Sequence, residues 1–253
     1  MAVTTPAEKL EVWPLFQTAL QMWFKLLPRL SLVILPVLLP ICILNEYFPF
    51  FITLLPESFP MSYFELVYQV LKILVKLVSL MADLILPIIA LHIFHLSYQG
   101  AELPSLRKSW QFGYTHLIRY ISAHLRATFW ILTGLLMLIL PGIRRFIRTS
   151  FVSIIAVLEE KDAIKKDILS DSKALTEGYE KKIYYMWLYL ILFFATYIFL
   201  MLTLTFALNI EGEEPWFNVV LELVGTLVNT LLTTAWLPLY YWIKAHPPST
   251  IDV

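Results

Sequence analysis

Charge is scarce in this chain, cysteine nearly absent and glycine sparse. Asp, Glu, Lys and Arg make up 15% of its 253 residues, against roughly 25% in a soluble domain, and that shortage excludes an ordinary cytosolic enzyme. The one cysteine, Cys42, can make no internal disulfide and lies in an apolar window, where it reads as a small packed thiol. No Walker-type glycine loop, G-x-S-x-G, H-E-x-x-H or clustered Cys pattern occurs. An excess of one sign is missing too. Nineteen Lys plus Arg balance nineteen Asp plus Glu, so net charge points to neither nucleic acid nor an acidic ligand.

What abounds is apolar sequence. Hydrophobic residues are 59% of the chain and the mean hydropathy is +0.72. Uncharged windows run over Leu30–Asn45, Leu84–Ala101, Ala127–Ile143, Ile183–Ile210 and Leu223–Ile243, several long enough to cross a bilayer core of about 30 Å. This is the pattern of an all-α, polytopic integral membrane protein. The first window is followed by Asn45-Glu46-Tyr47-Phe48-Pro49 instead of a small-residue cleavage pattern, so the N-terminus is expected to be retained.

A potential cap at Thr5, then Pro6 and Glu8, predicts a helix start. Val12, Phe16, Ala19, Trp23, Leu26 and Leu27 then recur at helical steps, giving an amphipathic helix suited to the membrane interface. Similar stripes occur at Leu106, Trp110, Tyr114, Leu117 and Ile121, and at Ile164, Ile168, Leu175 and Tyr179. Each runs into an apolar window, which reads either as a weak internal repeat or as the common amphipathic character of cytoplasmic loops. The expected layout is one membrane domain over 1–253, with interfacial helices near 6–27, 104–124 and 161–181. Six membrane segments are expected near 28–45, 73–97, 126–141, 142–158, 183–209 and 217–243.

Lys and Arg orient these segments. Segments 1–29, 98–126, 159–182 and 244–253 hold three, four, six and one of them, whereas 45–64 and 209–216 hold none and carry five glutamates instead. Both termini are therefore expected in the cytoplasm. Trp23, Tyr184, Tyr185, Trp187, Tyr240, Tyr241 and Trp242 are expected at the inner interface, and Tyr47, Tyr63 and Trp216 at the outer one.

The third and fourth segments are short, about 25 Å and 15 Å as helix, and are broken by Pro141-Gly142 before Arg144, Arg145 and Arg148. Placed outside, these arginines violate the positive-inside preference. A re-entrant hairpin in the outer leaflet reconciles both features. Glu65, Lys72, Lys76 and Asp83 fall within an arc of roughly 40° on segment two, and Glu222, Thr226, Asn229 and Thr233 within about 60° on segment six. A convergent site of Arg144, Arg145, Arg148, Lys72, Lys76, Asp83, Glu222 and Asn229 is expected, with a surplus of positive charge suited to a phosphate-bearing headgroup. The plainer alternatives are arginines that snorkel to phosphates and carboxylates that only neutralise them. No catalytic residue, metal ligand set or cofactor is expected. His92 and His95 lack a third ligand nearby in sequence and read as packing residues, and His116 and His124, in a basic interfacial stretch, are expected near lipid phosphates.

Pro141-Gly142, Arg148, Glu159 ending an apolar run, and then Ser172 and Gly178 in an amphipathic helix resemble the membrane domain attached to some glycerophosphoryl diester phosphodiesterases and its stand-alone bacterial inner-membrane relatives. The resemblance covers most of the chain in layout and residues 135–180 in motif. It implies six membrane helices, a bacterial cytoplasmic membrane and a link to envelope lipids, but no activity, since the soluble catalytic domain is lacking. Lys173 stands where that family commonly has Trp, and Arg144 and Arg145 are additional to its pattern, so the resemblance assigns them no role. The expected function is non-enzymatic, the binding or moving of an anionic amphipathic ligand such as an envelope lipid or its precursor. The alternative is a scaffold that assembles with another membrane protein or with a second copy. A membrane-embedded hydrolase is a third reading, and no nucleic-acid partner is expected.

Overall fold

A computed structural model describes residues 12–53, 61–159, 167–207 and 215–246. The expected cap at Thr5–Glu8, residues 161–166 of the third amphipathic stretch, Glu57 and the glutamates of 211–214 lie outside the described residues, as do the side chains of Tyr63 and Glu65.

Every described element is a helix. These are α1 (Val12–Thr53), α2 (Met61–Tyr98), α3 (Leu106–Met137), α4 (Ile139–Arg148), α5 (Val152–Leu158), α6 (Ile168–Thr176), α7 (Glu180–Ala207), α8 (Pro215–Thr234) and α9 (Leu237–Ala245). Four stretches are long and apolar enough to cross a membrane: Val12–Tyr47, Leu66–Tyr98, Glu180–Ala207 and Pro215–Ala245.

The first interfacial helix and first membrane segment are one helix of 42 residues. Its apolar stripe continues unbroken through Val12, Phe16, Ala19, Trp23, Leu26, Leu30, Ile34, Leu38 and Cys42, all buried. Steps of three and four residues keep such a stripe on one side of a helix. Here that side faces protein rather than a lipid surface. Phe16 stacks against Tyr189 and meets Phe193 of α7, and the Trp23 indole donates to Thr230 Oγ1 of α8 at 3.1 Å. Trp23 is thus a core residue, not a member of an aromatic belt. Tyr240 is likewise buried, whereas Tyr184, Tyr185 and Trp216 are about half exposed and free to meet an interface.

The expected third and fourth segments are resolved differently. α3 is one helix that begins at a Ser105 cap and merges the second amphipathic stretch with the start of the third window. It ends where Leu138 adopts an extended conformation (φ −171°, ψ 155°), and α4 then folds back along it. Pro141 is tolerated because it falls in the first turn of α4, where an amide proton would have no intrahelical acceptor. With ten and seven residues, α4 and α5 are about 15 and 10 Å long, too short to span. The hairpin tip is bare and apolar, with Leu136, Leu138 and Leu140 at 86, 70 and 78% exposure.

α5 is the opposite case. Phe151, Val152, Ile154, Ile155, Ala156 and Val157 are all buried, so this short helix is a plug inserted into one end of the bundle. The core is concentrated there, with Ile85–Leu91 of α2, Ile183 and Met186 of α7, and Leu231–Tyr240 of α8 and α9. Away from that end α1 and α8 stay packed, through Ile41, Cys42, Phe217 and Val219, while α2 and α7 are bare. None of residues 191–207 of α7 is buried, and neither is any of 66–81 of α2.

Candidate functional site

The eight residues expected to converge lie in separate places. Lys72 and Lys76 line a recess of about 360 Å³ between α1 and α2, with Leu44, Asn45, Glu46, Tyr68, Leu71 and Val75. The Lys72 ammonium is 5.6 Å from the centre of the Tyr68 ring, within cation–π reach. Glu46 is engaged across the bundle by Asn218 of α8, whose side-chain amide donates to it at 3.2 Å. No ion pair joins either lysine to a described carboxylate.

Asp83 and Glu222 do not neutralise arginines. Asp83 of α2 and Glu222 of α8 lie close enough for their charges to act on one another, with Cys42 of α1 near Glu222.

The arginines sit at the plugged end of the bundle, away from both lysines. Arg145 folds back on α3, donating to the Trp130 carbonyl at 3.0 Å and to Thr133 Oγ1 at 2.6 Å, with its guanidinium 5.3 Å from the Trp130 ring centre. Arg148 pairs with Glu180 at 3.4 Å, in the first turn of α7, and its carbonyl accepts the hydroxyl of buried Ser172 at 2.8 Å. Arg144 is exposed. Chain reversal at Leu138 is the physical reason for this separation. It turns the arginines back along the C-terminal half of α3, so five cations do not share one pocket.

Asn229 belongs to a third place, a recess of about 340 Å³ among α3, α4, α5, α7 and α8. Here His124 and Ser153 meet. The His124 Nδ1–H donates to the Tyr120 carbonyl at 3.0 Å, which leaves Nε2 as the acceptor for the Ser153 hydroxyl, also at 3.0 Å. Burial pushes the Tyr120 phenol up to about 12. Burial also holds His124 below its ordinary 6.5, with its backbone hydrogen bond acting the other way.

The His124 shift has a consequence for stability. The unfolded chain binds a proton at this residue near pH 6.5, while the folded chain resists it, so stability falls as pH drops below about 6.5 and levels off below the folded value. The limiting slope for one such group is about 1.4 kcal/mol per pH unit. Melting temperatures in detergent between pH 7.5 and 5 should show the decline, and His124→Gln should flatten that part of it.

A wider concavity, about 840 Å³, opens between α2, α3 and the end of α5, lined by His92, His95, His116, Arg119 and Glu159 among others. His92 stacks on Phe112, with ring centres 3.7 Å apart, and His95 hydrogen bonds with the Tyr241 hydroxyl. Arg119 acts as a cap for α5, donating to the carbonyls of Glu159 at 2.6 Å and Ile155 at 3.4 Å. The Glu159 carboxylate accepts the Tyr240 hydroxyl and the Lys244 ammonium at 2.9 Å. Among the described residues, no group of three His, Cys, Asp or Glu is arranged to hold a metal ion.

Sequence reading missed Ser153, Arg119 and Glu159 as parts of these constellations. Their partners come from other helices at separations of 29 to 85 residues, and no fixed spacing announces such pairs. Compared with known proteins, the chain matches no family model, no curated protein and no solved structure.

Proposed function

We propose that this chain is a multi-pass protein of a bacterial cytoplasmic membrane, with both termini inside, that binds or moves an anionic amphipathic ligand such as an envelope lipid. The observation that carries this reading is the pair Lys72 and Lys76, one helical turn apart above the apolar residues Leu44, Leu71 and Val75 and without a described carboxylate partner. Cations beside an apolar wall suit a ligand with a charged head and a greasy tail. Depth supports it as well. From Lys76 to Tyr98 is 22 residues of helix, about 33 Å, close to the thickness of a hydrocarbon core. With Tyr98 at the inner boundary, both lysines stand at the level of outer-leaflet phosphates.

The same arrangement removes the anomaly of the three arginines. With four crossings, and α3–α4 a re-entrant hairpin entering from the inside, all Lys and Arg except Lys72 and Lys76 are cytoplasmic, seventeen of nineteen. The exposed leucines at the hairpin tip then meet lipid. The phosphodiesterase-like motif points to the same kind of membrane, and its residues Gly142, Arg148, Ser172 and Gly178 all hold α3–α7 together here. Gly178 has φ +82° between α6 and α7 and donates its amide to Glu180 at 3.1 Å. The scaffold reading draws on α7, whose unburied outer half offers a face to a second membrane protein.

The test is native mass spectrometry of protein extracted from membranes and supplied with mixed phosphatidylglycerol and phosphatidylcholine. Wild-type protein should retain phosphatidylglycerol preferentially. The Lys72→Gln/Lys76→Gln variant should lose at least about tenfold of that preference, as expected for two lysines near a headgroup. Arg148→Gln, at the opposite end, should leave it unchanged. Equal retention by wild type and the double variant would remove the reading.

A further inference from the structure

The recess that holds Asn229 is unlike the lysine recess in its chemistry. Its walls include no Lys, Arg, Asp or Glu, and much of its surface is apolar, with Ile131, Phe146, Trp187, Leu232 and Trp236. On one wall the Ser153 hydroxyl is directed at the acceptor nitrogen of His124, and that ring is fixed in the required tautomer by the Tyr120 carbonyl. A nucleophile within hydrogen-bond reach of a base, with the base oriented by a third group, is the arrangement that activates serine. From the Ser153–His124 pair and its uncharged, mainly apolar recess, we propose a second function independent of anionic-ligand binding: nucleophilic cleavage of a neutral acyl ester with a greasy tail.

An uncharged recess disfavours a phosphodiester, whose charge would enter without a counter-ion. A carboxylic ester brings no charge and fits the apolar wall. Thr128 and Asn229 are both exposed, so the recess opens sideways between α3 and α8, a route along which a lipid ester enters from the bilayer. In the first step Ser153 Oγ bonds to the acyl carbon while its proton moves to His124 Nε2. The carbon–alkoxy bond then breaks, and the leaving alcohol takes the proton back from His124. Water adds to the acyl-serine in the second step, its proton passing through His124 to Ser153 as the carbon–Oγ bond breaks. The net reaction consumes one ester and one water and releases one carboxylic acid and one alcohol.

The surroundings support charge developing on oxygen. Ser150, in the same recess, accepts the Trp187 indole N–H at 3.1 Å, which leaves its own hydroxyl proton available for the ester oxygen. Burial keeps His124 neutral, the form a general base requires.

Full-length protein in detergent, treated with a long-chain alkyl fluorophosphonate, should carry the adduct on Ser153, as read by peptide mass spectrometry. Release of p-nitrophenol from p-nitrophenyl decanoate should fall by at least about a hundredfold in Ser153→Ala and in His124→Gln, the lower range for loss of an acid–base partner. The labelling needs no variant, so it stands even if a substitution harms folding. An unlabelled Ser153 in protein that elutes as a single species would overturn the proposal, as would ester cleavage that survives Ser153→Ala. Lys72→Gln/Lys76→Gln should keep the labelling, which separates failure of this site from failure of the lysine recess.

Discussion

Arg119→Met should lower stability by about 3 kcal/mol, the largest loss expected from any single side chain at the plugged end. Its guanidinium closes the last turn of α5 through the carbonyls of Glu159 and Ile155, and hydrogen bonds from charged donors contribute roughly 1.5–3 kcal/mol each. Burial pulls the Arg119 pKa down and the nearby Glu159 charge opposes this, so the group is partly desolvated already and its bonds are correspondingly strong. Methionine keeps most of the packing volume but none of the donors. The measurement is an SDS-titration unfolding curve in mixed micelles. Loss should appear as a shifted midpoint with the same slope, because one capped helix, not the whole bundle, is weakened. A midpoint unmoved by Arg119→Met would show that solvent satisfies those carbonyls equally well.

Gly142→Val should open the α3–α4 hairpin, at a cost of about 2–3 kcal/mol, the upper range for overpacking. A Cβ added at Gly142 would lie 2.6 Å from Leu135 Cγ and 3.0 Å from Leu135 Cα. The leucine side chain can rotate aside, but its backbone cannot, so α4 must move away from α3. Gly134 faces the same seam, where a Cβ would be 3.1 Å from the Gly142 Cα. Moving α4 also disturbs the Arg145 bonds to Trp130 and Thr133 and the Arg148 pair with Glu180. Cysteines introduced at Leu136 and Leu140 would report the opening as a longer spin-label distance. A distance unchanged from the parent would mean that the seam is looser than its geometry indicates.

The helices and the side of α1 that faces inward were legible in the sequence because both depend on local periodicity. Apolar residues at three- and four-residue steps from Val12 to Leu26 mark one face, and that face is buried. Periodicity does not say what covers a face. The same stripe reads as a membrane-surface helix or as a core helix, and contact with Tyr189, Phe193 and Thr230 decided for the core. The break at Pro141-Gly142 was legible too, as were the shortness of the flanking segments and the anomaly of three arginines beside them. Counting crossings by parity then placed those arginines outside and drew them toward Lys72 and Asp83. A one-residue reversal at Leu138 folds α4 back along α3 and keeps the arginines from both lysines, and no composition rule detects it.

By its own composition the chain determined that it would be helical and that several helices would be greasy enough for a bilayer, since these follow from residue type and spacing along one dimension. Which charges meet was decided only by tertiary structure. Arg148 with Glu180 and His124 with Ser153 are pairings between helices. Their partners are fixed by how long each helix runs before it turns and by which way it turns, and the energy of a side-chain pair depends on distance in space, not on separation along the chain.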